Sequence, residues 1–278
     1  MEPLSYEKRG YLREDFRLFH LADDKLGPMA YHYHTFHKII FLLAGRTGYA
    51  IEGERYDLRP GDFVLVGRGS IHRPEAERGV FYERVILYLS PEYLSRPRAG
   101  GCDLGACFAR AQSDFHYVYH SAATDRIRSL LQALEEAEGE QEFGAELLRQ
   151  SLLIQLMVEV NRVTSRNRYI TATAGDSKIV SILQYLSLNL TEPLSIDDIA
   201  ERFYISKYHM MRRFKEETGY TIHSYVAEKR LLLARQLLQS GQSVTEACYR
   251  SGYQDYSTFS RAYRKRFGAS PSADQRRG

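Results

Sequence analysis

The 278-residue sequence predicts a multidomain chain of the α and β class, with a β-rich first half closed by two helices and an all-α second half. Three observations carry that division. The chain is longer than one ordinary hydrophobic core serves. Short runs of β-branched and aromatic residues stop near Tyr119, and leucines at helical spacing take over. A polar stretch, 165–175, then marks a change in charge balance: up to Gly175 there are 22 Lys and Arg against 24 Asp and Glu, net −2, and beyond it 16 against 11, net +5. The residues divide as 1–164, a linker 165–175, and 176–278. Surplus Lys and Arg in one half favour a polyanionic partner, because they neutralise phosphates and release counterions.

In chain order, runs 39–43, 48–51, 63–66 and 80–87 read as strands bounded by Gly, Pro and Asp turn signals, at the spacing of a barrel or sandwich. Residues 124–138 and 145–163 read as helices. The second places Leu148, Leu152, Leu156, Val160 and Val163 on one stripe, with Leu147, Ile154 and Val158 beside it. Apolar surface that wide is expected to be buried on two sides, by a second subunit or by a satellite core. The second half contains a repeat: 195–202 aligns with 243–250 at an offset of 48, and Met210, Arg212, Phe214, Lys215 and Gly219 align with Phe259, Arg261, Tyr263, Arg264 and Gly268 at an offset of 49. Each copy opens with a Ser-x-x-acid capping signal, turns tightly, and continues as a helix with one apolar and one basic face. That is helix-turn-helix architecture twice, joined by a linker helix over 222–239.

In each copy the second helix leaves a face free near its N-terminal end, the part of a recognition helix that meets base edges in the major groove. Tyr208, Met211 and Arg212 occupy that face in the first copy, and Ser257, Ser260 and Arg261 in the second. Arg212 and Arg261 suit bidentate contact with guanine. Ser206, Lys207, Arg213, Lys215, Arg264, Lys265 and Arg266 are the expected phosphate contacts, which give affinity without sequence information. A connector of 18 residues forms a rod of about 27 Å, so one chain is expected to read two successive major-groove segments about one DNA turn, roughly 34 Å, apart.

Residues 194–200, Ser206 with 210–215, Thr218-Gly219, Tyr225, Arg230, Ala234, Leu237-Leu238, Gly252-Tyr253, 259–264, Phe267-Gly268 and Pro271 together resemble the DNA-binding domain of the AraC family of bacterial transcription regulators. The resemblance spans nearly all of 176–271. It has two departures: Tyr263 replaces the usual Phe, and Asp274 stands where the pattern favours an aromatic, so a short or frayed final helix is expected. In the first half, Gly27-x4-His32-x-His34-x3-Lys38-x6-Gly45 and Gly61-x5-Gly67-x-Gly69-x2-His72 resemble the two motifs of the cupin barrel, the sensory domain commonly joined to AraC-type DNA-binding domains. The resemblance therefore implies an N-terminal cupin-like β-barrel for effector sensing and dimerisation. In metal-binding cupins the first motif supplies two histidines and a glutamate and the second another histidine; His32, His34 and His72 match, and Lys38 takes the glutamate position.

Along a regular strand His32, His34, Phe36 and Lys38 share one face, with His37 on the other. His32, His34, Lys38 and His72 are thus expected to line a pocket for an anionic or polyhydroxylated effector. Three histidines can hold a divalent metal such as zinc or nickel with an open position, whereas an ammonium repels the cation and offers no lone pair unless deprotonated. A metal-free pocket, a metal site, and histidines merely hydrogen-bonded to strands and loops all remain open on sequence. An enzyme reading, a cupin-type metal-dependent isomerase or oxygenase using His32, His34 and His72, leaves the second half unexplained. A purely architectural DNA-binding protein needs neither a barrel nor matched arginines. The expectation is a non-catalytic transcription regulator acting as a homodimer, with promoter DNA, a small-molecule effector and, for an activator, RNA polymerase as partners. Cys102, Cys107 and Cys248 are too few and too scattered for a disulfide framework, and neither a secretory start nor an apolar run of about 18 residues is present, so a cytoplasmic location without membrane contact is expected.

Overall fold

The computed structural model describes residues 12–24, 29–96, 98–120, 125–166, 169–173 and 176–276. Gly27 of the first histidine motif, Thr124, and residues 167, 168, 174 and 175 of the expected linker lie outside the described residues. The chain divides into two compact units, Met1–Ala174 and Gly175–Gly278.

The first unit runs β1 (Phe16–Asp23), β2 (His37–Gly45), β3 (Thr47–Ile51), β4 (Glu54–Leu58), β5 (Asp62–Val66), β6 (His72–Glu75), β7 (Tyr82–Leu89), α1 (Pro91–Leu94), α2 (Ala106–Asp114), β8 (Val118–His120), α3 (Asp125–Glu138) and α4 (Ala145–Ser165). Its strands form two antiparallel sheets, ordered β1-β7-β2-β5-β8 and β4-β3-β6. The cupin-like barrel is therefore a pair of sheets rather than one closed ladder. Alternation along the strands sorts the side chains. Ile39, Phe41, Val85, Leu87 and Leu89 join Leu134, Leu153, Leu156 and Val160 of α3 and α4 in one buried core. The residues between them, Lys38 and its cross-strand neighbour Tyr88, and Leu42 with Arg84 opposite, point to the other face of the sheet.

Helix α4 divides its wide apolar surface along its length. Leu153, Leu156, Met157, Val160 and Val163 are buried and Ile154 and Val158 pack against the core, but Leu147 is 72% exposed, and Leu148 and the preceding Phe143 are exposed as well. The described part of the expected linker is no free tether. Ile170 N–H donates to the Val118 carbonyl at 2.8 Å, Thr173 N–H to the Arg55 carbonyl at 2.8 Å, and Tyr169 stacks on His116 at 3.5 Å between ring centroids. His37 packs away from the histidine motif: its ring stacks on Phe108 at 4.2 Å and its Nδ1 accepts the Arg68 backbone N–H at 3.2 Å. Burial, with a smaller push from the Arg68 guanidinium, lowers its pKa to about 3.

The second unit runs α5 (Ser177–Leu188), α6 (Ile196–Arg202), α7 (Lys207–Thr218), α8 (Ile222–Gln239), α9 (Val244–Arg250), α10 (Tyr256–Phe267) and α11 (Pro271–Gln275). Side-chain oxygens of Ser195, Ser206, Thr221, Ser243, Asp255 and Ser270 accept backbone N–H groups at the starts of α6 through α11, satisfying donors that a helix cannot satisfy itself. Gly219 and Gly268 end α7 and α10 in the left-handed conformation, at φ 75° and 74°. The final helix is short, five residues, yet it is pinned. Asp274 is buried, accepts the Tyr263 hydroxyl at 2.9 Å and lies 3.3 Å from Arg235 Nε. The two departures from the family pattern thus meet each other.

Replacing Tyr263 with Phe removes one donor from a buried carboxylate; urea unfolding should show a loss of about 1 to 3 kcal/mol. His37 makes stability depend on pH. Between its usual pKa near 6.5 and about 3 the unfolded chain binds a proton that the folded chain does not, so its contribution is complete above pH 6.5 and falls with acidification, with a slope of up to about 1.4 kcal/mol per pH unit. His37→Asn, which retains an acceptor for Arg68 N–H, should give a flatter decline of thermal midpoint between pH 6.5 and 4 than the parent protein.

Candidate functional site

His32 and His34 precede β2 and lie outside any regular strand, contrary to the strand geometry expected for them. A backbone bridge places them instead. His32 N–H donates to the His72 carbonyl and His72 N–H to the His32 carbonyl, both at 3.0 Å, and Gly69 N–H donates to the His34 carbonyl at 2.9 Å. The imidazoles consequently cluster, with centroid separations of 4.4 Å for His32–His72, 4.9 Å for His34–His72 and 5.1 Å for His32–His34. One ring nitrogen from each lies within 4.8 Å of the others, and all three residues are buried.

Hydrogen bonds set the tautomers. His32 Nδ1–H donates to the Ala30 carbonyl and His72 Nδ1–H to the Ser70 carbonyl, each at 2.9 Å, so Nε2 carries the lone pair in both rings. This is how imidazole ligands are ordinarily oriented by their surroundings. His72 Nε2 is buried and has no hydrogen-bond partner. Burial above all, then the charges of Lys38, His32 and His34, holds the His72 pKa well below the usual range, which keeps the ring neutral. The donor set fits a divalent transition metal.

Lys38 is buried on the same sheet face as Tyr88, whose ring lies 5.9 Å from His34. Its pKa is lowered to about 8, first by burial and then by Arg84. Arg84 has a counterion in Asp23 at 3.0 Å; among the described residues no carboxylate pairs with Lys38. The structure thus brings His32, His34, Lys38 and His72 to one place.

In the second unit Met210 and Phe214 of α7, and Phe259 and Tyr263 of α10, are fully buried. That orientation leaves Tyr208 (75% exposed), Met211 and Arg212 open to solvent on α7, and Ser257 and Arg261 on α10; Ser260 is half-buried. Arg212 Nε lies 3.8 Å from Glu216, and Arg261 Nε donates to the Ser257 carbonyl at 3.3 Å. Ser206 is exposed while capping α7, Lys207 is exposed beside Asp197 at 2.9 Å, and Lys215, Arg264 and Lys265 are exposed.

Two of the expected phosphate contacts hold carboxylates that link helices. Arg266 Nε donates to both carboxylate oxygens of Glu228, at 2.7 and 2.8 Å, tying α10 to α8. Arg213 lies 3.2 to 3.3 Å from Asp176, Glu216 and Glu217, tying α7 to the start of α5. Both guanidiniums are paired with carboxylates of their own domain.

Sequence reasoning missed what fixes one repeat against the other. Gly252, in the turn of the second repeat at φ 89°, sits so close to the loop before α6 that a Cβ there would stand 2.9 Å from Thr191 Cα and 2.8 Å from Arg230 Nε. Arg230, on α8, donates to the Leu190 and Glu192 carbonyls at 2.8 and 2.6 Å. The repeat alignment, which brings Gly252 to the place of Tyr204, was the available signal: Tyr204 also has positive φ, 50°, but is 90% exposed.

A β-sheet sensor unit and a helical unit with two solvent-facing recognition helices define a ligand-responsive, DNA-binding transcription regulator. The comparisons with known proteins agree: an "AraC-like ligand binding domain" model matches residues 22–157 and a "Helix-turn-helix domain" model matches 199–277. The chain belongs to the AraC family of transcription regulators. It is similar to the HTH-type transcriptional activators RhaS of Citrobacter koseri, 29% identical over 241 residues with 86% of this chain and 85% of that one covered, and of Shigella sonnei, 28% identical with the same coverage. Among solved structures it aligns with ToxT from Vibrio cholerae at 15% identity and a TM-score of 0.39, over 95% of this chain and 97% of that one.

Gly252→Ala should loosen the relation between repeats. With duplexes carrying both half-sites, inserting one base pair between them should cost the parent protein about tenfold or more in affinity, and the variant less than about threefold, at equal salt.

Proposed function

We propose that this regulator reads a bipartite promoter site with its two recognition helices and that occupancy of the histidine-lined site in its sensor unit changes how it does so. The observation that carries the reading is the matched pair Arg212 and Arg261, solvent-facing at equivalent positions on helices whose opposite faces are buried. Arg212 with Tyr208 and Met211 contacts base edges of one element, and Arg261 with Ser257 and Ser260 those of the other. Ser206, Lys207, Lys215, Arg264 and Lys265 hold phosphates.

His32, His34, Lys38 and His72 take the effector. Only a ligand with different affinities for two states of the protein can shift its activity, and DNA must in turn alter effector affinity by the same factor. His32, His34 and His72 would hold a divalent metal, which when bound supplies an open coordination position; no catalytic step is assigned. The named relatives are regulators rather than enzymes, which supports a non-catalytic role. Phe143, Leu147 and Leu148, exposed at the start of α4, form the dimer contact. RNA polymerase is the partner an activator requires, and the relatives are named as activators. The cytoplasm is the proposed location; no described helix is long and apolar enough to cross a membrane.

Selection of bound sequences from random duplex DNA at fixed salt tests the reading. An enriched site of two elements about one turn apart is expected, with Arg212→Ala and Arg261→Ala each abolishing preference at one element. Uniform, merely salt-sensitive binding would overturn it. Sedimentation at micromolar protein should give a dimer, converted to monomer by Leu147→Glu with Leu148→Glu.

A further inference from the structure

The sensor site has an unusual charge inventory. Three imidazoles converge, and the His72 ring presents a buried Nε2 with no hydrogen-bond partner. Among the described residues no carboxylate joins the cluster, so a divalent metal held by the three imidazoles alone keeps its full charge. On the adjoining face Lys38 adds a buried ammonium, and the nearest guanidinium, Arg84, already has Asp23. Tyr49, stacked parallel to His72, and Phe36, stacked on His34, wall the cluster with aromatic rings. Loaded with metal, such a buried site holds a metal cation beside an ammonium, and the missing negative charge has to come from the ligand.

We infer that the effector is a small carboxylate that completes the coordination of a divalent metal held by His32, His34 and His72 and pairs its second oxygen with Lys38. The inference rests on the proposal that these residues form the effector site and names the class of effector. Lys38 acts here as the anion's counterion, so it opposes metal binding in the empty site and favours it once the carboxylate is present. Metal and carboxylate binding are then mutually reinforcing, which a metal-free pocket or a bare structural metal would not show.

Cobalt(II), whose visible bands report coordination number and ligand set, tests this in the full-length protein. Added alone, cobalt should bind once per chain and give tetrahedral-type bands that His72→Ala abolishes. Acetate at millimolar concentration should then shift the bands and tighten cobalt binding about tenfold or more. Lys38→Met should keep cobalt binding while weakening the acetate effect at least about tenfold. Lys38→Glu should bind cobalt more tightly and no longer respond to acetate, because a carboxylate is built in. Unaltered thermal midpoints of the metal-free variants would show that the fold is retained. Cobalt bands indifferent to acetate, or an acetate response unchanged in Lys38→Met, would overturn the inference. Failure of the parent protein to bind cobalt would overturn it too, yet the sequence-selection experiment with metal-free protein would still decide the regulator reading independently.

Discussion

Two backbone hydrogen bonds between His32 and His72 set the sensor unit's chemistry. They join the irregular chain before β2 to the start of β6, and so bring residues 40 positions apart in sequence to one point. Everything else at the site follows from them: the ring contacts, the tautomers imposed by the Ala30 and Ser70 carbonyls, and the approach of the Lys38 face of the larger sheet. Backbone groups carry this constraint, so it tolerates wide variation in the side chains around it.

The helical unit was largely legible in the sequence because its information is local. Capping residues and apolar spacing mark α8 at Ile222–Gln239 without tertiary knowledge, and the repeat marks the rest. The sheets were legible where β-branched and aromatic residues dominate, as in β2, β3, β5 and β7. Strand β1 alternates with exposed polar residues, β4 carries Glu, Arg and Asp, and β6 reads His-Arg-Pro-Glu; each pairs because a neighbour offers its edge, which no local pattern encodes. The helices α1 and α2 were missed as well, and residues 169–173 looked like a tether because bonds to Val118 and Arg55 are nonlocal.

The site shows the same division. The sequence displays which residues are basic but not which are already neutralised. Arg266 and Arg213 share the chemistry of Arg212 and Arg261, and only the positions of Glu228 and Asp176 separate a tie inside the domain from a surface cation. For the histidines, motif spacing singled out residues that do cluster, but through a backbone bridge before β2 rather than along a regular strand. Tyr263 and Asp274, each a departure when taken alone, make sense only as a pair.

The close seat of Gly252 against Thr191 and Arg230 leaves the protein little freedom to adjust the reach between its two reading helices. A reader of fixed span passes the burden of adaptation to its partner. Where the helical pitch of a promoter does not match that span, the duplex itself must bend or twist, at an energy set by the stacking of base pairs that no side chain touches. Those untouched pairs, stiff or pliant, thereby become part of the address.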